Sequence, residues 1–320
     1  MRQRVPIALA VLLVAVVGVI AWQVLRLREP VYQGKPLSLW LQGYSPDGDS
    51  PEVDDAVRAM GTNAIPTLLG MLQVKDSQLK LTLAALGFRY TSAETQHLRA
   101  QKGFSALEAD ASNAVPALIE IYKQNTSPTA GRAAANALVE IGPAAKTAIP
   151  ALMKSAASTN SHVRAFALCT LGRMALESKL VVPVLIQGLH DPDHEVRYSA
   201  AFGLAALAFM GGDAKPATAA LMETLKDSHP SERATAAMAL GHIHSDPGLV
   251  VPALIEMLRD ADVQLHALAA TALGEFGNQG KPAVAPLIEL LSQGNQDARK
   301  AATNALKAID PEAAAQAGVR

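Results

Sequence analysis

Disulfides, thick aromatic cores and bulk charge are all poorly provided for in this chain. A single cysteine, Cys169, stands among 320 residues, so no intramolecular disulfide can form and the redox compartment is left open. Aromatic residues make up 4 % of the sequence, too few to fill the deep core of a thick globular domain. Neither sign of charge dominates, with 28 basic and 29 acidic residues. Beyond residue 30 the balance is 24 basic to 28 acidic. A mildly acidic body has no general attraction for nucleic acid, which is therefore not expected as a partner. No Gly-rich phosphate loop, nucleophile elbow, paired-Cys site or His-Glu-x-x-His is present, so no catalytic residue, cofactor or small-molecule substrate is expected.

What the chain has in abundance is aliphatic. Half of it is apolar, dominated by Ala, Leu, Val and Ile, and Ala lets neighbouring helices approach closely. Val5 to Leu25 is almost unbroken apolar sequence, interrupted by Pro6 and Gln23. At about 1.5 Å per residue it spans roughly 31 Å, the hydrocarbon thickness of a bilayer. Arg2 and Arg4 flank one end, Arg26 and Arg28 the other, and Trp22 stands where an interfacial aromatic would. A cleaved signal peptide is the alternative, since Val19 and Ala21 are small. The length of the apolar run and the arginines just after it favour an uncleaved transmembrane anchor.

Two leucine series reveal an internal repeat. One runs Leu118, Leu152, Leu185, Leu221, Leu254, Leu287, in steps of 34, 33, 36, 33 and 33 residues. The other runs Leu138, Leu171, Leu204, Leu240, Leu273, Leu306, in steps of 33, 33, 36, 33 and 33. Each unit reads as two helices. The first, as in Pro252 to Asp260, carries Pro in its first turn, where a missing N–H costs little. The second opens after Ser127, Asn160, Asp193, His229, Asp262 or Asn295. Five of these six are capping types, worth about 1 kcal/mol each. Within such a helix Val196, Ala200, Leu204 and Leu207 form an inward stripe, and Gly172, Gly241 and Gly274 read as points where the helix tires or ends. Neither helix buries its stripe alone, so neighbours must stack.

The prolyl start, the Asp-x-x-Val-Arg opening (Asp193 to Arg197) and the Ala-Leu-Gly close resemble HEAT repeats, nearest to the short PBS-lyase-type HEAT-like kind. The start, Lys35 to Leu41 followed by Gly61 to Pro66, resembles membrane-anchored bacterial HEAT-repeat proteins. That resemblance implies an all-α fold, an armadillo-type α-α superhelix, and scaffolding by protein binding. It implies no particular substrate. The positive-inside count is nearly even; N-terminal anchors of such bacterial proteins commonly leave the body outside the cytoplasm, so a single-pass membrane protein with a periplasmic body is expected. The alternative the resemblance carries is a phycobilin-lyase-like or other HEAT-type enzyme that binds a chromophore.

The expected organisation is a tail (1–4), the anchor (5–25), a linker (26–35), a capping helix pair (36–62), the solenoid (63–310) and a C-terminal tail (311–320) whose end frays. The step from Leu68 to Leu118 is 50 residues, which places an inserted helix around 76–108. One helix there, about 76–87, would carry Leu79, Leu83 and Leu86, and another, about 94–108, Leu98, Phe104 and Leu107. Between and beyond them, Arg89, Tyr90, His97, Arg99 and Lys102 form a candidate contact patch, or else a structural bend with charge for solubility.

Two further sets of residues are candidate partner contacts. Arg164, Arg197 and Arg233 recur one turn into successive second helices, with Arg299 completing a ladder. They would present guanidiniums to an acidic partner or, the favoured reading, bond a neighbouring repeat's cap or carbonyl. Phe166, Tyr198 and Phe202 cluster in adjacent repeats of an aromatic-poor chain and suggest either a shallow groove for a partner helix or packing between layers. The His194-Glu195 pair resembles those of deoxyhypusine hydroxylase, a HEAT-like di-iron enzyme. That family needs several such pairs in facing repeats and one exists here, so no metal site is expected.

Overall fold

The computed structural model describes residues 29–44, 50–86, 88, 90–124 and 127–319. The expected anchor, residues 5–25, lies outside them. Among the described residues no helix is long and apolar enough to cross a membrane. The chain divides into two compact units, one ending at Ile141 and the other beginning at Gly142.

The first unit opens on a feature that was read as linker. Strands β1 (Val31–Tyr32) and β2 (Lys35–Pro36) pair antiparallel. Gln33 and Gly34 both take positive φ, 47° and 75°, the turn geometry whose twist suits a two-residue hairpin. Trp40 donates its indole N–H to the Tyr32 carbonyl at 3.0 Å, with the Lys35 ammonium over its ring. Helix α1 (Leu37–Trp40) tightens into a 3-10 turn (Leu41–Gly43), and α2 (Pro51–Met60) follows. Leu37, Leu41, Val53 and Val57 are buried between them, while Leu39 is exposed.

Then come α3 (Ile65–Leu72), α4 (Gln78–Ala85), α5 (Ala93–Leu107), α6 (Val115–Gln124) and α7 (Pro128–Ile141). Helices α2, α5 and α7 stack side by side, with α3 packed on α5 and α6 on α7. The inserted element is thus α4. Leu81 within it and Leu86 just after it are exposed, Leu86 by 70 %. Phe104 and Leu107 of α5 are buried as expected.

His97 belongs to this core and not to a surface patch. It is buried, its Nε2 lies 3.0 Å from the Val74 carbonyl and its Nδ1 2.8 Å from the Thr129 hydroxyl. A carbonyl only accepts, so Nε2 carries the proton and Nδ1 accepts from Thr129. Burial lowers its pKa against the raising effect of the Val74 carbonyl. A histidine whose folded pKa is depressed stabilises fully above its unfolded value near ~6.5, and that stability drains away as pH falls below it. Thermal melts between about pH 7.5 and 5 should show the first unit weakening, and His97→Gln should remove that part of the slope.

The second unit holds five helix pairs: α8 (Ile149–Ala156) with α9 (Ser161–Met174), α10 (Ser178–Gly188) with α11 (His194–Phe209), α12 (Thr218–Thr224) with α13 (Pro230–Ile243), α14 (Pro247–Met257) with α15 (Val263–Glu275), and α16 (Val284–Gln293) with α17 (Gln296–Ile309). Each second helix starts one residue after its sequence-assigned cap. Asn160, Asp193, Asp262 and Asn295 accept a backbone N–H from their own first turns. His229 makes no such side-chain bond. All twelve series leucines are buried in their units, as is the stripe Val196, Ala200, Leu204, Leu207.

Two expectations need correcting. Pro183 and Pro252 lie inside their helices, not in the first turn. Those helices gain an extra N-terminal turn because Glu177 and Asp246, in left-handed conformation, start them early. The C-terminal stretch is also ordered as a short helix, α18 (Pro311–Gln316), capped by Asp310 with Ala314 buried. It packs on α17.

The helices stop one or two residues after Gly172, Gly241 and Gly274, as expected, but these glycines have a second role. Gly172 is inside α9, and a Cβ there would lie 2.2 Å from the Gly203 Cα and carbonyl oxygen of α11. The two glycines let α9 and α11 touch backbone to backbone. At Gly241 and Gly274 the same position faces Ala272 and Ala305 at 3.0 and 3.1 Å. These residues set the spacing of the second-helix row.

Candidate functional site

The arginines one turn into α9, α11 and α13 build a ladder along the second unit. Arg164 donates from Nε and Nη2 to the two carboxylate oxygens of Asp191, both at 2.8 Å. Arg197 does the same to Asp227 at 2.7 and 3.1 Å, and Arg233 to Asp260 at 3.0 and 2.9 Å. Each Nη1 meanwhile bonds the carbonyls of its own preceding loop, Ser158 and Thr159, Asp191 and Pro192, or Asp227 and Ser228. One guanidinium therefore closes its own loop and clamps the next. The acceptor is neither the neighbour's cap nor its carbonyl, but an aspartate two residues before the cap. That aspartate also accepts the cap residue's N–H.

The electrostatics follow. The Arg164 guanidinium holds Asp191 below the usual carboxylate range, and the Arg197 guanidinium holds Asp227 further below it. At Asp260 burial opposes, but the Asp262 N–H and Arg233 together outweigh it and the pKa is lowered. The ladder fades where its chemistry fails. His266 replaces arginine in α15 and reaches only the Asp260 carbonyl of its own loop, at 2.8 Å. Arg299, in the last second helix, bonds the Gly294 carbonyl.

The aromatic candidates sit on a different face of the same rows. Tyr198 is 40 % exposed, Phe202 and Phe166 half-buried. The Tyr198 and Phe202 rings stack with centroids 6.4 Å apart and planes 24° from parallel. They are one turn apart on α11, away from the buried Val196–Leu207 stripe.

The other candidate patch lies in the first unit. Arg89 falls outside the described residues. Tyr90 and Phe88 are exposed in the connection after α4. Arg99 and Lys102 are half-buried on α5, Arg99 with its Nε buried and lacking a hydrogen-bond partner, Lys102 with its ammonium 5.7 Å from the Tyr44 ring. The structure gives Lys102 and Arg99 positions against the unit's own body.

His194 and Glu195 do not act as a pair. Glu195 turns to His162 of α9 at 3.1 Å, whereas His194 faces Glu232 of α13 at 3.6 Å. Cys169 is half-buried, and burial raises its pKa, so it stays a neutral, weakly nucleophilic thiol at neutral pH.

Sequence reasoning missed the three clamp aspartates. Their signal was available: Asp191, Asp227 and Asp260 each stand two residues before a cap position. It also missed the fully buried Glu232, whose neighbourhood is assembled from two repeats and has no sequence spacing to reveal it.

A profile of the HEAT repeats family matches the chain over residues 115–205, 182–250 and 251–317. No curated protein matches it. Among solved structures, an engineered protein from the Northeast Structural Genomics Consortium is 25 % identical with a TM-score of 0.45, covering 62 % of this chain and 97 % of its own. A second engineered protein from the same source is 23 % identical with a TM-score of 0.46, covering 88 % and 86 %. The complex of CpcE and CpcF of phycocyanin lyase from Nostoc sp. PCC7120 is 30 % identical with a TM-score of 0.42, covering 50 % and 98 %.

Proposed function

The chain belongs to the HEAT-repeat family, and from that premise we propose that it is a non-enzymatic scaffold, held at a membrane by residues 5–25, that binds a protein partner through the α9–α11 face of its second unit. The observation that carries the reading is the exposed Tyr198 ring stacked on the half-buried Phe202. Elsewhere on α11, apart from the exposed Phe209 at its C-terminal end beside His242, the small residues serve the helix row, the aliphatic residues serve the core and Arg197 serves the clamp. The aromatic pair has no comparable structural duty. Large, rigid rings beside a shallow apolar surface are the side chains that anchor partner helices and peptides.

Tethering rests on the 21-residue apolar segment from Val5 to Leu25 and its flanking arginines. The even distribution of arginines leaves orientation to the general habit of bacterial anchors, with the body periplasmic.

The full chain, extracted in mild detergent, should retain a protein partner in fixed ratio. Tyr198→Ala with Phe202→Ala should cut the recovered partner at least ~10-fold, since two anchor truncations at about 1–2 kcal/mol each exceed a tenfold change. The variant's helical dichroism should stay unchanged. Deleting residues 1–28 should move chain and partner together into the soluble fraction. A tetrapyrrole carried by the purified chain, or partner recovery indifferent to both rings, contradicts the scaffold reading.

A further inference from the structure

Where α13 begins, a buried carboxylate stands without the cation its surroundings call for. Glu232 is fully buried; its Oε2 accepts the Ser231 hydroxyl at 2.5 Å, and its Oε1 has no hydrogen-bond partner. Around that bare oxygen stand His194 Nδ1 at 3.6 Å, His229 Nδ1 at 3.9 Å and Arg197 Nη2 at 3.6 Å. Asp227 Oδ1 lies 3.4 Å from His229 Nδ1. One ligand atom each from Asp227, His229 and Glu232 lie within 4.8 Å of one another. The His194 and His229 rings stack at 4.7 Å with planes 6° from parallel. The first residue of α11 and the loop, cap and first turn of α13, from consecutive repeats, supply the set.

Charge and spacing point the same way. In the form that ligation requires, with carboxylates ionised and imidazoles neutral, Asp227 and Glu232 bring two negative charges and Arg197 one positive. The group is thus short of one positive charge around an oxygen that water does not reach. A tetrahedral ion with bonds of about 2.0–2.1 Å keeps its donor atoms roughly 3.4 Å apart. The separations of 3.4, 3.6 and 3.9 Å need a contraction of half an ångström at most. The widest within Asp227, His229 and Glu232, up to 4.8 Å, needs about 1.4 Å. His194 must also turn out of its parallel stack on His229 to reach the same ion. His229 Nδ1 stands between Arg197 Nη2, which can only donate, and Asp227 Oδ1, which can only accept, each at 3.4 Å, so a metal bound there takes the tautomer that faces the arginine. A deprotonated ring nitrogen is what metal ligation requires.

We propose that Asp227, His229 and Glu232, with His194 as fourth ligand, bind a divalent transition-metal cation of the zinc class and so staple the α11 repeat to the α13 repeat. Two imidazoles with two carboxylates suit zinc over calcium or magnesium, which prefer all-oxygen shells. On binding, Arg197 keeps its Nε bond to Asp227 Oδ2 at 2.7 Å and its Nη1 bond to the Asp191 carbonyl at 3.1 Å. It yields the Nη2 bond to Asp227 Oδ1. The Ser228 hydroxyl, 3.1 Å from His229 Nδ1, rotates aside. Four protein ligands leave no open position, so the ion is structural.

The test is zinc titration by calorimetry into the chelator-treated full chain in detergent, with Co²⁺ as a spectroscopic probe. One equivalent should bind, and Co²⁺ should give the intense visible bands of a four-coordinate site. His229→Ala and His194→Ala should each weaken binding by more than about 10–100-fold, since that is the loss when merely an outer-shell partner of a ligand is removed. Both rings are partly exposed, so these variants are expected to fold, which dichroism checks. His162→Ala and His190→Ala, whose rings face Glu195 and Glu223 in the same unit, should bind as the parent does. No saturable uptake at micromolar zinc, or uptake unchanged by His229→Ala, overturns the proposal.

Discussion

Replacing Gly172 by alanine should destabilise the second unit by about 3 kcal/mol or more, even though alanine is the better helix former. Helix propensity favours the change by roughly 1 kcal/mol. Against it, the new methyl would lie 2.2 Å from the Gly203 Cα and carbonyl oxygen. These are backbone atoms and cannot swing aside as a side chain would. Helices α9 and α11 must then separate, and overpacking of that kind costs about 1–3 kcal/mol or more on its own, before the leucines around the crossing lose contact. The neighbouring repeats provide an internal scale. Gly241→Ala meets Ala272 at 3.0 Å, a small overlap that the propensity gain nearly cancels. Gly248→Ala, in α14, meets nothing within 4 Å and should stabilise by a few tenths to about 1 kcal/mol. Melting followed by far-ultraviolet dichroism should rank the three in that order. A Gly172→Ala chain as stable as the parent would mean the two helices do not touch there.

Breaking the middle rung of the clamp should cost nearly as much. Asp227→Ala leaves Arg197 with two donors unanswered, in side chains only 15 % and 12 % exposed. Losing one partner of a well-buried pair costs about 3–5 kcal/mol, and losing a hydrogen bond to a charged group about 1.5–3. Partial solvent screening places this rung near 3 kcal/mol. In a unit of this size that lowers the melting temperature by roughly 6–12 °C. Arg197→Lys should recover little, because an ammonium cannot span two carboxylate oxygens and two loop carbonyls at once. The same rung has a pH signature. Asp191 and Asp227 have folded pKa values held below the unfolded ones. Their stabilisation is complete above about pH 4 and is lost as acid titrates them through the lowered folded values. The parent should therefore lose stability on acidification below pH ~4, and Asp227→Ala should show a shallower loss. A double-mutant cycle of Arg197 and Asp227 with zero coupling would contradict the clamp.

The period, the helix starts and the buried leucines were legible in the sequence because each follows from local chemistry. A cap residue announces a helix start whatever lies beyond it, and a leucine at a fixed step needs the same environment in each copy. What was hidden depends on contacts between copies. Gly172 looks like a helix terminator until α11 is placed against it. The clamp aspartates look like ordinary loop residues until a guanidinium arrives from the preceding repeat. His97 stands in a basic stretch and reads as surface, yet Val74 and Thr129 enclose it. The His194–Glu195 pair was the conspicuous metal-like feature, but the residue His194 meets is Glu232, 38 positions on. The short hairpin at Val31–Pro36 escaped because its turn, Gln33-Gly34, carries one weak signal and its strands have two residues each.

Stacking consumes the glycine, leucine and arginine faces of the second helices, and the proposed function assigns the Tyr198–Phe202 face to a partner. A photo-crosslinking residue placed at Tyr198 in the membrane-bound full chain tests this most directly, with positions Leu180 and Leu249, exposed on first helices of the same unit, as controls. One discrete protein adduct from Tyr198, absent from both controls, is the predicted result. Adducts of equal yield from all three positions, or none from Tyr198, would contradict it.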